Sequence, residues 1–384
     1  MKENEKKPYF CNPVNLQKTR KFEGFDYSCE NPLIIAELGT SHNGDIVKAR
    51  ELIDAAADSR ASCIKVQLVY ADEILHPNTG EVPLPGGRIR LYDRFKALEL
   101  APAFYEEIKE YTEKRGLIFL CTPFGMKSAS ILREMKSKIV KIASPELNYS
   151  SLLGDIAGWS KFTLLSTGVS TLKDIEKAVD IFRSENANIC LLHCVTFYPA
   201  PVTEYNLRVL PKLAGIFGVP AGVSDHTEDP QLVPALSVSM GASVIEKHFC
   251  LSKNDPGLDD PIALPPDDFS KMTEAIRLAS KEGPQKTIER YSSERGAALV
   301  EQVFGDGVKK LAPCERANYR LTNRSIHALC DIKMGQIIKR EDYAVLRTEK
   351  ILRPGLEPCW EDAIEGRAAR NFIPAGEGIR FEDI

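Results

Sequence analysis

The 384-residue sequence predicts a (β/α)8 barrel, the TIM-barrel fold, followed by a small β-rich domain. Two observations predict the barrel. Short apolar runs alternate eight times with amphipathic stretches between about residues 33 and 282, and the runs are almost uniformly apolar, as strands buried on both faces are. A third observation predicts the second domain: from about residue 323 the pattern changes to short strand-like runs separated by glycine-containing turns.

The apolar runs are joined by stretches with helical spacing. One of these, DIVKARELIDAAADSR (45–60), places apolar residues three and four positions apart, which is typical of an amphipathic helix. The main alternative is a doubly wound open sheet, which would carry a glycine-rich phosphate turn after its first strand. The segment GTSHNGD (39–45) lacks that spacing, so the barrel is favoured. The runs are LIIAEL (33–38), CIKVQL (63–68), LIFLC (117–121), IVKIA (139–143), FTLLS (162–166), ICLLH (189–193), VPAGVS (219–224) and SVIEK (243–247).

Three segments flank the predicted catalytic barrel. Residues 1–32 contain aromatic and glycine residues and are predicted to form a hairpin that closes the barrel bottom. Residues 283–322 are polar and contain glycine and proline, which indicates a linker. Residues 323–384 form the predicted β-rich domain. Within it, DIKMGQIIKREDY (331–343) and FIPAGEGIRFEDI (372–384) resemble each other, which indicates a short repeat of strand, glycine turn and strand.

Composition excludes several classes of function. Lys and Arg total 50 and Asp and Glu total 54, so the net charge is −4 and nothing favours a nucleic-acid or anionic-membrane partner. No apolar run reaches the roughly 18 residues of a membrane span, and the charged start MKENEKKPYF lacks the apolar core of a signal peptide. Ten cysteines without a CxxC pair are typical of free thiols, so a cytoplasmic protein is expected.

Polar side chains at the carboxyl ends of the predicted strands indicate the active site, because the active sites of TIM barrels lie at that end. Asp259, in DPGLDD (255–260) after the last strand, either accepts hydrogen bonds from sugar hydroxyls or is a solvated turn residue. In chain order the strand-end candidates are Glu37, Lys65, Gln67, Thr122, Lys141, Ser144, Glu146, Ser166, Thr196, Tyr198, Ser224, His226, Glu246 and His248.

Lys65 and Lys141 lie inside apolar strands, where an unpaired ammonium group is expensive to bury. One interpretation is structural: each lysine pairs with Glu37 or Glu246 inside the barrel. The other is functional: two lysines and the surrounding hydroxyls supply the charge and the donors of a phosphate site. The functional interpretation is favoured because both lysines occur with hydroxyl residues on neighbouring strand ends.

His226 and His248 would end adjacent strands, the seventh and the eighth, so the barrel can bring their imidazoles together. Two histidines with open coordination positions suit a divalent metal ion that water, carboxylate or substrate oxygen completes. Two hydrogen-bonded barrel histidines are the alternative. His193 in LLHC is predicted to be a packed core histidine, and His42 in SHNG either caps a turn or contacts a ligand.

Several of these motifs occur together in a known family. The sequence resembles the N-acetylneuraminate (sialic acid) synthases, a family that includes legionaminic and pseudaminic acid synthases and spore-coat polysaccharide enzymes. Its C-terminal part, NRSIHALCDIKMGQIIKREDYAVLR (323–347), resembles the antifreeze-like (SAF) domain of those enzymes. The other motifs that carry the resemblance are AELGTSHNG (36–44), KVQ (65–67), TPF (122–124), KIAS (141–144), LSTG (165–168), HCVTFYPAP (193–201), SDHT (224–227) and EKHF (246–249).

The resemblance implies a reaction. Phosphoenolpyruvate condenses with an N-acetylated hexose, either N-acetylmannosamine or a 2,4-diacetamido hexose, to a nine-carbon 2-keto acid and phosphate. A divalent metal ion is implied at His226 and His248, with Mn²⁺ expected and Mg²⁺ or Co²⁺ as alternatives, and no organic cofactor. Glu37 is the implied acid or base, and Lys65, Lys141 and Glu246 are also expected to be catalytic. Phosphoenolpyruvate would be held by Lys65, Thr122, Lys141, Ser144, Ser166 and Ser224, the sugar by Gln67, Glu146, Tyr198 and Asp259, and Thr196 would be a further substrate contact.

The resemblance also implies a domain-swapped homodimer, in which residues 323–384 of one subunit cover the barrel of the other. An arginine of the covering domain completes the sugar site in that family, and either Arg347 or Arg353 matches it. The sequence departs from the family pattern at three places on the sugar side, which bears on the acceptor more than on the chemistry: Ser41, Pro145 and Thr196-Phe197.

Two other functions fit parts of the sequence. A metal-dependent TIM-barrel hydrolase would use the histidine pair, but the closely spaced histidine ligands expected after its first strand are missing. A non-catalytic carbohydrate-binding protein would use the antifreeze-like domain, but it would need neither two strand lysines nor a metal pair. The synthase interpretation uses all of these features.

Overall fold

The structure, a computed structural model, describes residues 20–22, 25–84 and 87–384. In these ranges eight parallel strands close into one barrel in chain order, with the last strand paired to the first. The predicted TIM barrel is confirmed. Its strands are β1 (Leu33–Gly39), β2 (Cys63–Leu68), β3 (Ile118–Pro123), β4 (Ile139–Ile142), β5 (Phe162–Ser166), β6 (Ile189–Cys194), β7 (Ala221–Asp225) and β8 (Val244–His248).

Each barrel strand is followed by at least one helix of the outer layer. In the sixth helix Thr171 caps the N-terminus and exchanges hydrogen bonds with Asp174, while Ile175, Val179 and Phe182 recur on the buried face. No helix in the described ranges combines the length and the hydropathy needed to cross a membrane. The barrel helices are α1 (Ile46–Asp58), α2 (Leu91–Ala97), α3 (Pro102–Lys114), α4 (Met126–Glu134), α5 (Ser150–Trp159), α6 (Leu172–Ser184), α7 (Val209–Phe217), α8 (Leu232–Ser239) and α9 (Pro266–Glu282).

Apolar side chains close the bottom of the barrel. A hairpin pairs Arg20–Phe22 with Phe25–Tyr27. The Tyr27 ring lies 5.7 Å from the Phe162 ring, measured between centroids, in the lower layer of the barrel interior. The hairpin thus lies where the sequence places it, whereas the rest of the predicted extension, residues 1–19, lies outside the described residues.

The prediction of a linker over residues 283–322 is wrong for its first half, which forms helices α10 (Pro284–Arg295) and α11 (Ala297–Phe304). Tyr291 and Phe304 are buried against the outer layer of the barrel. In α10 a narrow apolar face is therefore sufficient to dock an otherwise polar helix, whereas six of the eight residues of α11, AALVEQVF, are apolar. The second half contains only a short 3₁₀ turn at Pro313–Glu315.

A small domain follows, built around the antiparallel strands β9 (Arg324–Ala328) and β10 (Tyr343–Arg347), with one short helix, α12 (Glu361–Ile364). The two similar segments of the sequence contact each other through a bridge between Ile332 and Ile373. Each segment also contains a glycine with a left-handed backbone, so the repeat in the sequence is a repeat in structure. These glycines are Gly335 (φ 83°) and Gly376 (φ 91°).

This C-terminal domain packs on the barrel of the same chain, at the carboxyl ends of the strands. The backbone N–H of Arg347 donates to the Ile74 carbonyl at 2.9 Å. Arg324 is fully buried, and its Nη2 donates to the Phe124 carbonyl at 2.6 Å. Residues from the C-terminal domain therefore reach the loops that surround the barrel end.

Candidate active site

The predicted site residues converge at the carboxyl end of the barrel. Side chains alternate along a strand, so Lys65 and Gln67 on β2 share the inner face, as do Glu246 and His248 on β8. Lys247, between the last two, lies on the opposite face, where its Nζ is 2.7 Å from Asp225 Oδ2. The alternation explains why neighbouring charged residues of one strand have different roles.

Glu37, Lys65 and Glu246 form a buried charged cluster. Lys65 Nζ lies 2.8 Å from Glu37 Oε2, 3.7 Å from Glu246 Oε1 and 3.3 Å from Thr122 Oγ1. Gln67 Nε2 donates to Glu37 Oε1 at 2.7 Å. Lys65 therefore has the carboxylate partners of the structural interpretation and also adjoins a hydroxyl of the expected phosphate site.

The two carboxylates of this cluster differ in proton affinity. Burial raises the pKa of Glu37 above its ordinary value and outweighs the opposing attraction of Lys65. Burial also acts to raise the pKa of Glu246, but Lys141, Lys65 and a 2.8 Å hydrogen bond from Ser224 outweigh it and hold that pKa at about 2. Glu37 is thus the group suited to exchange a proton, and Glu246 is a fixed negative charge.

Lys141 lies among hydroxyl and carbonyl groups. Its Nζ donates to Ser166 Oγ at 2.6 Å and to the Ile142 carbonyl at 2.9 Å, and burial lowers its pKa. Ser144, in the turn after β4, accepts a hydrogen bond from the backbone N–H of Gly168 at 3.0 Å. A lysine and the hydroxyls of two neighbouring strand ends are therefore gathered in one region, as the functional interpretation requires.

The barrel brings His226 and His248 together. Their ring centroids are 5.5 Å apart, and the Tyr198 ring lies 4.2 Å from that of His226. Asp259 Oδ2 is 3.8 Å from His248 Nδ1. His226 Nδ1 is 3.1 Å from the Val195 carbonyl oxygen, and an Nδ1–H that donates there leaves Nε2 available as a ligand.

This histidine pair fits an open metal site. Burial lowers the pKa of His248 to about 4, so its imidazole is neutral, the form that binds metals, whereas in His226 the same effect of burial is outweighed by the neighbouring Cys194, which raises the pKa. Among the residues the structure describes, no group of three or more His, Cys, Asp or Glu side chains is arranged to hold a metal ion. The pair therefore suits an ion whose remaining positions are filled by water or by substrate oxygen, not a closed structural site.

Two further histidines have structural contacts. His193 is buried, with Nε2 2.5 Å from the Tyr205 carbonyl oxygen, as expected of a packed core histidine. His42 is also buried, and its Nδ1 accepts a hydrogen bond from the Gly44 backbone N–H at 3.1 Å, which is the turn-capping role. Burial lowers the pKa of His193 to about 3 and that of His42 to about 4.

Glu146 is the contact point between the barrel end and the C-terminal domain. Its Oε1 accepts hydrogen bonds from Arg347 Nη2 at 2.5 Å and from Arg324 Nε at 3.0 Å. Its Oε2 is buried without a hydrogen-bond partner among the described residues. Arg353 instead pairs with Asp383 at 2.8 Å inside the C-terminal domain. Of the two arginines that the resemblance suggests, Arg347 is the one beside the site.

Three buried charged residues next to the site are not indicated as site residues by the sequence: Arg324, Glu315 and Asp260. Asp260 accepts a hydrogen bond from Ser41 Oγ and thereby fixes the loop that carries Asp259. Its only signal in the sequence is its position beside Asp259. Arg324 and Glu315 have no comparable signal, because their barrel partners are distant in the chain.

The charged and hydroxyl side chains of the site converge at the carboxyl end of a TIM barrel, which is where the active sites of TIM-barrel enzymes lie. Comparison with known proteins identifies the kind of enzyme. Residues 52–286 match the NeuB family, and the chain belongs to that family. It is an enzyme of the transferase class.

Relatives align along most of the chain. The spore coat polysaccharide biosynthesis protein SpsE of Bacillus subtilis is 33% identical over 357 residues, which cover 91% of this chain and 93% of that protein. The N,N'-diacetyllegionaminic acid synthase of Campylobacter jejuni is 34% identical over 322 residues, covering 82% and 90%. The crystal structure of the Bacillus subtilis SpsE matches with a TM-score of 0.79 at 30% identity, covering 96% of this chain and 99% of that one. These similarities support a general function as an acid synthase for this chain.

Proposed function

We propose that this enzyme condenses phosphoenolpyruvate with an N-acetylated hexose, forming a nine-carbon 2-keto acid and releasing phosphate. The observation that carries the proposal is the pair of buried lysines, Lys65 and Lys141, each beside a hydroxyl group at a strand end. Ammonium and hydroxyl groups are the donors that the phosphate and carboxylate of phosphoenolpyruvate need.

The reaction divides into two stages. C3 of phosphoenolpyruvate attacks the aldehyde carbon of the open-chain sugar, which forms the C–C bond, leaves positive charge at C2 and breaks the C=O π bond, so that the aldehyde oxygen takes up a proton and becomes a hydroxyl group. Water then adds at C2, and the tetrahedral intermediate expels phosphate by C–O cleavage. Lys65 and Lys141 offset the phosphate charge, and the ionised Glu246 stabilises the positive charge at C2. Glu37, with its raised pKa, accepts the proton of the added water.

His226 and His248 would hold the divalent metal ion, for which Mn²⁺ is the expected choice. When bound there, the ion would polarise the sugar aldehyde as a Lewis acid. Tyr198 and Asp259 adjoin the histidine pair and would orient the sugar beside it.

The proposed acceptor is a 2-acetamido hexose. Glu146 Oε2, buried and without a partner among the described residues, is suited to accept a hydrogen bond from an acetamido N–H. Both N-acetylmannosamine and a 2,4-diacetamido hexose meet this requirement. The likeness to a diacetyllegionaminic acid synthase and the apolar Phe197 at the sugar side favour the diacetamido sugar.

We also propose that the working unit is a homodimer that exchanges residues 323–384 between barrels. In the single chain described, Arg347 contacts Glu146 of its own barrel. An exchanged domain would make the same contact between subunits.

Phosphate release tests the proposal. The purified protein is incubated with phosphoenolpyruvate and a panel of N-acetyl and diacetamido hexoses, with and without Mn²⁺. Release is expected only when phosphoenolpyruvate, an acetamido hexose and the metal are all present. Lys141→Met should abolish it, whereas Lys161→Met, which changes an exposed lysine next to β5, should not. Release without any sugar, or no release with every sugar, contradicts the proposal.

A further inference from the structure

The segment between α11 and β9 holds two barrel loops beside the proposed phosphoenolpyruvate site. Residues 309–323, here called the clasp, bind backbone groups of the loops after β5 and β6. In chain order, Lys309 Nζ donates to the Thr167 carbonyl (2.8 Å), Glu315 Oε1 accepts from the N–H of Val169 (2.8 Å) and of Thr196 (2.7 Å), Asn318 Nδ2 donates to the Thr196 carbonyl (3.3 Å) and Asn323 Nδ2 donates to the Val169 carbonyl (3.3 Å).

Glu315 is the central group of the clasp. It is 1% exposed, and besides the two loop N–H groups its carboxylate accepts the Ala312 N–H at 3.1 Å. Such charge-assisted hydrogen bonds are stronger than neutral ones. Without the carboxylate, the N–H groups of Val169 and Thr196 would lose this partner. Val169 would also lose a bond that holds its left-handed backbone (φ 40°), a conformation that β-branched residues rarely adopt.

Gly168 connects the clasp to the predicted substrate ligands. Its N–H donates to Ser144 Oγ at 3.0 Å. A Cβ atom at Gly168 would overlap Thr196 Oγ1 and would lie 2.8 Å from Ser144 Oγ and 3.1 Å from Glu315 Oε1. The Glu315 carboxylate and the side chains of Ser144 and Thr196 therefore all pack against the backbone at Gly168, where no space is left for a further atom. Because close-packed groups cannot shift independently, releasing Val169 or Thr196 displaces Ser144 as well.

We propose that Glu315 is a positioning residue for phosphoenolpyruvate. It fixes the loops after β5 and β6 and thereby sets Ser144, a predicted phosphoenolpyruvate contact, through the packing of Gly168 against Ser144 and Thr196. The phosphate side of the site then depends on a segment that leads to the C-terminal domain, although no residue of that segment need touch the substrate. This inference rests on the proposed function.

Calorimetric binding of phosphoenolpyruvate and steady-state kinetics test the inference with Glu315→Ala and Glu315→Gln. The matched control is Glu204→Ala, because Glu204 Oε2 accepts the Cys314 N–H at 2.9 Å and so anchors the same segment to a later part of the loop after β6, without a bond to Val169 or Thr196. Glu315→Ala should weaken phosphoenolpyruvate binding and raise its KM about tenfold, the effect of losing a charge-assisted hydrogen bond. The kcat at saturating phosphoenolpyruvate should stay within about threefold of wild type. Glu315→Gln, which keeps one acceptor oxygen, should fall between Glu315→Ala and wild type.

The outcomes separate this inference from the proposed function. Wild-type protein that binds no phosphoenolpyruvate overturns both. Wild-type protein that binds it while Glu315→Ala binds it equally well, or loses kcat with an unchanged KM, overturns the positioning role alone. Should Glu315→Ala fail to fold, Lys309→Met removes the bond to the Thr167 carbonyl and keeps the carboxylate. A selective rise in KM is again expected, and unchanged binding counts against the inference.

Discussion

The phosphate side and the sugar side of the proposed site are built from different parts of the molecule. Lys65, Lys141 and Glu246 lie within strands of a closed barrel, whose register is fixed by neighbours on both sides. On the sugar side, Asp259 lies in a loop and Arg347 comes from the C-terminal domain. Strands hold reacting groups rigidly, whereas loops vary without changing the fold. We therefore expect the charged groups Lys65, Lys141 and Glu246 to be set by the barrel strands, and the choice of acceptor to depend mainly on the loops and the C-terminal domain.

Removal of the metal ion should have the largest effect, because the phosphate side and the sugar side would meet at the aldehyde that the ion polarises. EDTA is expected to abolish phosphate release, and Mn²⁺ should restore it in wild type but not in His226→Ala. Circular dichroism should show that the variant is folded. Full turnover by the chelated enzyme would remove the histidine pair from the mechanism of both sides.

Loss of either barrel lysine should come next. Lys65→Ala and Lys141→Ala are each expected to lower kcat/KM for phosphoenolpyruvate roughly 10²–10³-fold, as loss of a group that stabilises transition-state charge does. The two variants should differ in their free energies of unfolding. Lys65→Ala leaves Glu37 without its ion-pair partner and should cost about 3–5 kcal/mol, whereas Lys141 has hydroxyl and carbonyl partners and should cost less. Urea unfolding measures the difference. If folded variants keep the wild-type kcat/KM for phosphoenolpyruvate, the lysines are structural.

The contrast between residues held in strands and residues held in loops or in the C-terminal domain also explains which site residues the sequence predicts. The strand-end residues could be found because the barrel converts a linear pattern, an apolar run followed by a polar residue, into a position in space. The clasp and Arg324 could not be found, because their partners are set by tertiary packing rather than by a local pattern. Helix α10 is not indicated by the sequence for a related reason, because only a narrow face of it, including Tyr291, is apolar. Helix α11 has only eight residues, which is short for a helical pattern to be recognised.

A substitution in the C-terminal domain should weaken the binding of the sugar and leave the binding of phosphoenolpyruvate unchanged. Arg347→Ala removes one of two arginines on Glu146 and should raise KM for the sugar roughly ten- to hundredfold, with KM for phosphoenolpyruvate unchanged. Arg353→Ala is the matched control, since Arg353 pairs with Asp383 within its own domain. Steady-state kinetics with each substrate varied in turn measure both constants. A larger effect from Arg353→Ala would exchange the roles of the two arginines.

Mixing two variants tests whether that domain is exchanged between subunits. Arg347→Ala and His226→Ala enzymes are combined under conditions that allow subunit exchange, which mass measurement verifies. A swapped dimer places both defects in one site and restores the other site, so activity should reach about half of wild type per heterodimer by site counting for a two-fold interface. At a sugar concentration well below the raised KM of Arg347→Ala, a domain that covers only its own barrel restores nothing.

Acid should weaken the two regions through different histidines, and this effect should be the smallest. His193 in the barrel and His327 in the C-terminal domain are buried, and burial lowers their pKa to about 3 and about 4. In the unfolded chain a histidine has a pKa of about 6.5, so the unfolded state binds protons first as the pH falls. The contribution of these neutral histidines to the free energy of unfolding is therefore fully present above about pH 6.5 and is lost toward pH 4, by up to about 1.4 kcal/mol per pH unit for each histidine.

Hydrogen exchange at pH 5 and pH 7 measures the stability of each region. His327→Gln should reduce the pH dependence of protection in β9 and leave β6 unchanged, and His193→Gln should do the reverse. Equal changes in both strands in either variant would mean that the barrel and the C-terminal domain unfold as one unit. The two regions would then have separate roles in the reaction but a common stability.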